Sequence, residues 1–246
     1  MENYNPDTQL IDLAGLLNCR DLGGMPLSPG KVFARGKFIR TSSPSYLSAE
    51  ECASVRAYGV TTVVDLRSSA ELARYGNPFC NDGVTDFHAI SLFLGDPDDP
   101  DDKTMYFLRD HKLGDFYVLV LKHLGPAVVE VLRVLLDSPG IAMFHCAHGK
   151  DRTGIIAAIL YLLAGASREN IILNYKVSYD YLRPLVDPLI AKCPDILKPT
   201  LRSDAVNMEI LLDYIDSEYS GDIRKFLLEN GMTSSEIEAL TLKCLT

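Results

Sequence analysis

The segment Ile141-Ala142-Met143-Phe144-His145 runs into Cys146-Ala147-His148-Gly149-Lys150-Asp151, and then into Arg152-Thr153-Gly154-Ile155-Ile156. The first five residues read as a buried strand. Arg152 to Leu163 reads as an apolar helix that stops at Gly165. A short polar loop joins them. Strand, tight loop and helix in that order aim backbone N–H groups outward at a helix N-terminus, which makes an anion-binding nest. Upstream, Val60-Thr61-Thr62-Val63-Val64-Asp65-Leu66 is β-branched and almost continuously apolar, as suits a central strand covered on both faces. Strands that alternate with helices, followed by a helical last third, predict an α/β fold: a central, mostly parallel sheet flanked by helices.

Working outward, Ser138-Pro139-Gly140 forms the turn before the 141–145 strand, and Asp115 to Leu136 is a long helical stretch with a kink expected at Gly125-Pro126. Ser48-Ala49-Glu50-Glu51 opens a helix that runs to about Tyr58. Lys31–Arg35 and Lys37–Arg40 are expected as a hairpin after Gly23-Gly24, and Thr85–Leu92 as a further strand. The run Gly95-Asp96-Pro97-Asp98-Asp99-Pro100-Asp101-Asp102 is too rich in proline and like charge for regular structure. Downstream, helices are predicted over Arg168–Leu182, Asp204–Tyr219, Asp222–Asn230 and Ser234–Leu242. No repeat or Gly/Ser linker divides the chain, so residues 1–246 read as a single domain.

The 246 residues include Lys+Arg 24 against Asp+Glu 33, a formal net charge of -9. That field disfavours nucleic acid and stable docking on an anionic membrane. The 6 cysteines are scattered without a C-x-x-C pair, which argues against a close-paired zinc site or a dense disulfide framework. The N-terminus lacks the basic-then-apolar order of a signal peptide. The longest apolar run, Ile155 to Ala164, is far short of the ~20 residues of a membrane helix. These features predict a soluble, cytoplasmic protein.

The 146–152 loop carries the chemistry. Cys146 is expected at the base of the nest, where the helix dipole and Arg152 favour a thiolate. Arg152, separated from it by five residues, can curl to face the sulfur across a tetrahedral anion, and its planar fork binds two oxygens at once. The Thr153 hydroxyl is within reach of the sulfur, and Gly149 allows close backbone approach. Ala147, His148, Gly149 and Lys150 complete the substrate-binding loop.

This loop resembles the Cys-x5-Arg-Ser/Thr signature of the protein tyrosine phosphatase superfamily. The string His-Cys-x-x-Gly-Lys-Asp-Arg-Thr-Gly is similar to a narrower bacterial and fungal tyrosine phosphatase family. Asn18-x-Arg20-Asp21-Leu22-Gly23-Gly24 resembles its N-terminal motif, and Val64-Asp65-Leu66-Arg67-Ser68 with Glu71 its central strand and turn. Gly221–Leu227 and Gly231-Met232-Thr233 resemble its C-terminal run. The resemblance implies a tyrosine phosphatase-like fold and double displacement without metal or cofactor: Cys146 attacks phosphorus, an acid protonates the leaving oxygen, and water hydrolyses the phosphocysteine. The chain has no tryptophan, so a Trp-Pro-Asp acid loop is absent. The resemblance favours Asp151 as the acid, with Asp96 and Asp98 as the alternatives. Lys150 either binds a second phosphate, as in phosphoinositide or inositol phosphate substrates, or balances Asp151. The other partner expected is a phosphorylated protein. Competing classes are a rhodanese-like sulfurtransferase, an arsenate reductase and a catalytically silent phospho-binding module.

Overall fold

A computed structural model describes residues 4–27, 30–96, 99 and 101–246. Its five strands are β1 (Arg20–Asp21), β2 (Phe38–Thr41), β3 (Val60–Asp65), β4 (Asp86–Ala89) and β5 (Ile141–His145), in the order β1-β2-β5-β3-β4. Only β1 runs antiparallel, against β2. The parallel register sets Thr41 and Asp65 on either side of His145, so three strand ends finish at one level. The crevice outside the carboxyl ends of such strands is where α/β proteins bind ligands. The sheet is mixed but mostly parallel and helix-flanked, as the sequence predicts.

Alternation along the strands divides the core. Ile39, Val63 and Met143 face a small cluster with Cys52 and Val55 of α1 (Ala49–Ala57). Phe38, Val64, Ala142 and Phe144 face the large cluster, built on α4 (Leu113–Asp137) and α5 (Asp151–Ala164). α5 is buried nearly all round because the C-terminal helices cover the side turned from the sheet. These are α6 (Arg168–Lys176), α9 (Ala205–Tyr219), α10 (Ile223–Glu229) and α11 (Ser234–Leu245). Gly165, at φ +86°, ends α5 in the left-handed conformation its sequence position predicts. α4 is kinked at Leu124 (φ −120°, ψ 20°), two residues before Pro126, whose ring cannot fit against the preceding turn.

Two expectations are corrected. Lys31–Arg35 is not a strand: this region makes only a bridge between Pro26 and Val32, and β2 pairs with β1 and β5 instead. The predicted 168–182 helix breaks at Val177, and a second helix, Ser178–Ile190, continues through Pro184 and Pro188. Two short helices lie in segments for which the sequence suggests no element: Ser69–Tyr75, opened by a Ser68/Glu71 capping box, and Lys103–Asp110, capped by Asp102.

Candidate active site

β5 delivers Cys146 to the floor of the loop, where it is 2% exposed. The four carbonyls that follow are all drawn into the protein. Ser43 N–H donates to Ala147 O (3.0 Å). Asn18 Nδ2 donates to His148 O and Gly149 O (3.3 and 2.9 Å). Arg40 Nη2 donates to Gly149 O and Lys150 O (2.8 and 3.3 Å). In a planar trans peptide the next N–H points the opposite way, so capture of these carbonyls turns the amides outward. Among the described residues, the N–H groups of His148, Gly149 and Lys150 have no acceptor. Gly149 sits at φ +64°, and a Cβ there would lie 2.1 Å from Thr41 O. Only glycine fits.

Arg152 enters from the first turn of α5, and its two terminal nitrogens bond Glu71 in a fork (2.6 and 2.9 Å). Its guanidinium also lies 5.4 Å from the centre of the Phe93 ring. Burial opposes the charge, but the Glu71 hydrogen bonds and the Cys146 and Glu71 charges outweigh it and raise the pKa. Burial likewise pushes the Glu71 carboxyl up, and the bonds from Arg152 and Ser68 bring it below its ordinary value. One carboxylate thus closes the Ser68 capping box and orients Arg152.

Lys150 is 1% exposed at its side chain. Its ammonium donates to Thr200 O (2.8 Å) and Arg202 O (2.5 Å) and lies 3.4 Å from Asp151 Oδ1. Asp151, on the first turn of α5, also accepts a hydrogen bond from the Tyr117 hydroxyl, which contacts the Tyr175 hydroxyl at 2.7 Å. Burial, then the charge of Asp151, raises the Tyr117 pKa well above its usual value. Thr153 Oγ1 is buried with no hydrogen-bond partner among the described residues, so the bond to sulfur expected from the sequence is not formed here. His148 is half-buried. Burial, then the nearby Lys150 charge, lowers its pKa to about 4.

Behind Cys146, His145 is fully buried. Asn77 Nδ2 can only donate, to His145 Nε2 (3.0 Å) and to Asp65 Oδ2 (3.0 Å). Its bond leaves Nε2 as an acceptor and puts the ring proton on Nδ1, which donates to Cys146 O (3.1 Å). Burial lowers the His145 pKa despite the charge of Asp65. Burial works against the Asp65 carboxylate, yet His145, Arg67 and Asn77 together bring its pKa to about 2. Arg67 bonds Asp65 through Nη2 at 2.6 Å.

The structure therefore gathers Cys146, Ala147, His148, Gly149, Lys150, Asp151, Arg152 and Thr153 at one strand-to-helix junction. Asp96 is not among their partners: it ion-pairs with Arg74 at 3.4 Å. Asp98 lies outside the described residues. Arg20 and Asp21 do not pair with each other; Arg20 is buried beneath the loop, and Asp21 accepts from the amides of Gly23 and Gly36. The sequence reading missed the parts played by Glu71, Arg40, Asn77 and Tyr117. For Glu71 the capping box Ser68-x-x-Glu71 was a visible signal, though of a helix start rather than of an arginine clamp.

A buried cysteine, three loop amides without acceptors and an arginine held by Glu71 are donors and a nucleophile of the kind that suits a tetrahedral anion. A family model described as tyrosine phosphatase family matches residues 11–246. The chain belongs to that family of phosphatase enzymes. It is 36% identical over 146 residues to a tyrosine-protein phosphatase of Nostoc commune, which covers 59% of this chain and 49% of that one; it thus spans about half of that relative's length. It is 27% identical over 197 residues to the triple specificity protein phosphatase PtpB of Mycobacterium tuberculosis, with 69% of each covered. Among solved structures, P. aeruginosa TpbA aligns at 17% identity with a TM-score of 0.39, covering 74% of this chain and 92% of that one. Among the described residues, no helix is long and apolar enough to cross a membrane.

Proposed function

We propose that the protein hydrolyses phosphotyrosine through a phosphocysteine on Cys146. The observation that carries this reading is the inward capture of the four carbonyls from Ala147 to Lys150, which leaves a ring of amides over the thiol. In the first step the sulfur lone pair forms the S–P bond as the P–O bond to the tyrosyl oxygen breaks. The amides and the Arg152 N–H groups not held by Glu71 receive the charge on the equatorial oxygens. Asp151 is the proposed acid for the leaving oxygen. Tyr117 and Lys150 fix its Oδ1, while Oδ2 has no hydrogen-bond partner among the described residues. In the second step water attacks phosphorus, and the Thr153 hydroxyl, buried without a partner, is available to the departing sulfur.

The same site is open to phosphoserine, phosphothreonine and phosphoinositide headgroups. Lys150 favours phosphotyrosine as the primary substrate, because its ammonium is occupied by two carbonyls and Asp151, and a second phosphate would have to displace them.

The test is p-nitrophenyl phosphate hydrolysis in the presence of a chelator, with Cys146→Ser as control. Metal-independent activity that vanishes in the variant supports the reading; full activity in the variant overturns it. Lys150→Ala assayed on phosphoinositide and phosphopeptide then separates substrates. An unchanged ratio of the two rates removes the phosphoinositide reading.

A further inference from the structure

Arg20 and Arg40 are the largest fully buried side chains of the protein, and neither bonds a carboxylate among the described residues. Arg20 donates to Asn174 O, Asn18 Oδ1 and Ser178 Oγ at 2.7, 3.0 and 2.8 Å. Arg40 donates to Asn174 Oδ1 at 3.0 Å, besides the carbonyls of Gly149 and Lys150. The Nε of each is buried without an acceptor. The acid beside them in sequence, Asp21, has one oxygen on the Gly23 amide and the other on the Gly36 amide. A buried cation with no counter-charge is costly, and a neutral donor would cap the same carbonyls without that cost. Burial, then the like charge of Arg20, brings the Arg40 guanidinium down to about 9, while the Tyr161, Cys146 and Tyr4 side chains favour its charge.

We propose that Arg40 is a positioning residue for the reaction: with Nη1 anchored on Asn174 Oδ1, its Nη2 pins the Gly149 and Lys150 carbonyls so that the loop amides face the phosphate, and its unbalanced charge is completed by the anionic sulfur and the bound phosphate. Arg20 supports this from one step further away. Because Asn18 Oδ1 accepts from Arg20, Asn18 Nδ2 is the end that meets the loop carbonyls. The inference rests on the phosphatase reading, but it concerns residues that never touch substrate.

The test compares Arg40→Met and Arg40→Lys with the parent chain in three measurements: p-nitrophenyl phosphate hydrolysis, alkylation of Cys146 by iodoacetamide at pH 6, and protection from alkylation by inorganic phosphate. The last two need no turnover, so they stand even if the chain proves to hydrolyse nothing. In Arg40→Met, alkylation should slow about tenfold and phosphate protection weaken about tenfold, as expected for removal of one nearby cation. Its kcat should fall about a hundredfold, the scale set by loss of an aimed donor. Arg40→Lys keeps the charge but has no second nitrogen to anchor it on Asn174 Oδ1, so alkylation should remain within about twofold while kcat still falls about tenfold. Parental alkylation and phosphate protection in Arg40→Met, or parental kcat in Arg40→Lys, overturns the proposal. If Arg40→Met does not fold, the kcat of Arg40→Lys decides alone.

Discussion

On one flank of the 146–152 loop, each buried arginine faces a carboxylate: Arg152 has Glu71, and Arg67 has Asp65. On the other flank, among the described residues, Arg20 and Arg40 are held by carbonyls, amide oxygens and a serine hydroxyl alone. The first flank is balanced before any ligand arrives, and there Glu71 fixes where Arg152 points. The second is left positive, and its charge is available to an anion on the far side of the loop. The difference separates two tasks that a phosphate site must perform, orientation of its donors and attraction of its ligand.

The sharpest way to break this arrangement is at the point shared by both flanks. Gly149→Ala forces a Cβ against Thr41 O, with the backbone at a φ that alanine avoids. Activity should fall about a thousandfold, as kcat/KM on an aryl phosphate would show. On the balanced flank, Glu71→Ala leaves Arg152 buried and unpaired and opens the cap of the 69–75 helix. It should lower kcat/KM about a hundredfold and cost about 3 kcal/mol of stability in urea unfolding. Retention of parental kcat/KM would show that the carboxylate does not orient the arginine. Asp151→Asn leaves both flanks intact. It should slow phosphotyrosine hydrolysis about a hundredfold, yet spare an aryl phosphate with an acidic leaving group. Equal losses on both substrates would remove the acid role.

The smallest effect is one of pH. The Asp65 pKa is held at about 2, below its unfolded value, so its stabilisation is complete above the unfolded value and disappears as pH falls through about 2. From near pH 4 down to pH 2 the chain should lose about 2 kcal/mol through this group. Asp65→Asn should be less stable at pH 6 but flatter over that acid window. A parallel acid limb in the two proteins would place the titration elsewhere.

Which parts of this were legible in the sequence follows from how local their causes are. The strand-loop-helix unit around Cys146 is written in consecutive residues: an apolar run, a glycine-bearing loop, then an apolar helix with a glycine stop. β2 was legible as a strand, but its partners were not, because Arg20–Asp21 is too short to carry a pattern and the pairing is set by distant chain. The 69–75 helix has seven residues and is held by its cap and by Glu71, a tertiary contact. The helix through Pro184 and Pro188 defies the local rule that proline ends helices. Within the site, Cys146, Arg152 and Asp151 lie together in sequence and were read together. Arg40 was passed over as the end of a strand, since only folding brings its guanidinium beneath a loop 109 residues away. Asp96, far from the loop in sequence, carries no local signal of its pairing with Arg74.

Glu71 ties two histories together. A helix cap ordinarily drifts among serine, aspartate, glutamine and glutamate with little consequence. Here the residue that completes the cap also grips the arginine of the phosphate site, so neutral drift at the start of that short helix is closed off. A shorter aspartate cannot span the same gap, and glutamine brings no charge. A change at position 71 is therefore felt at position 152 as well as at the helix start.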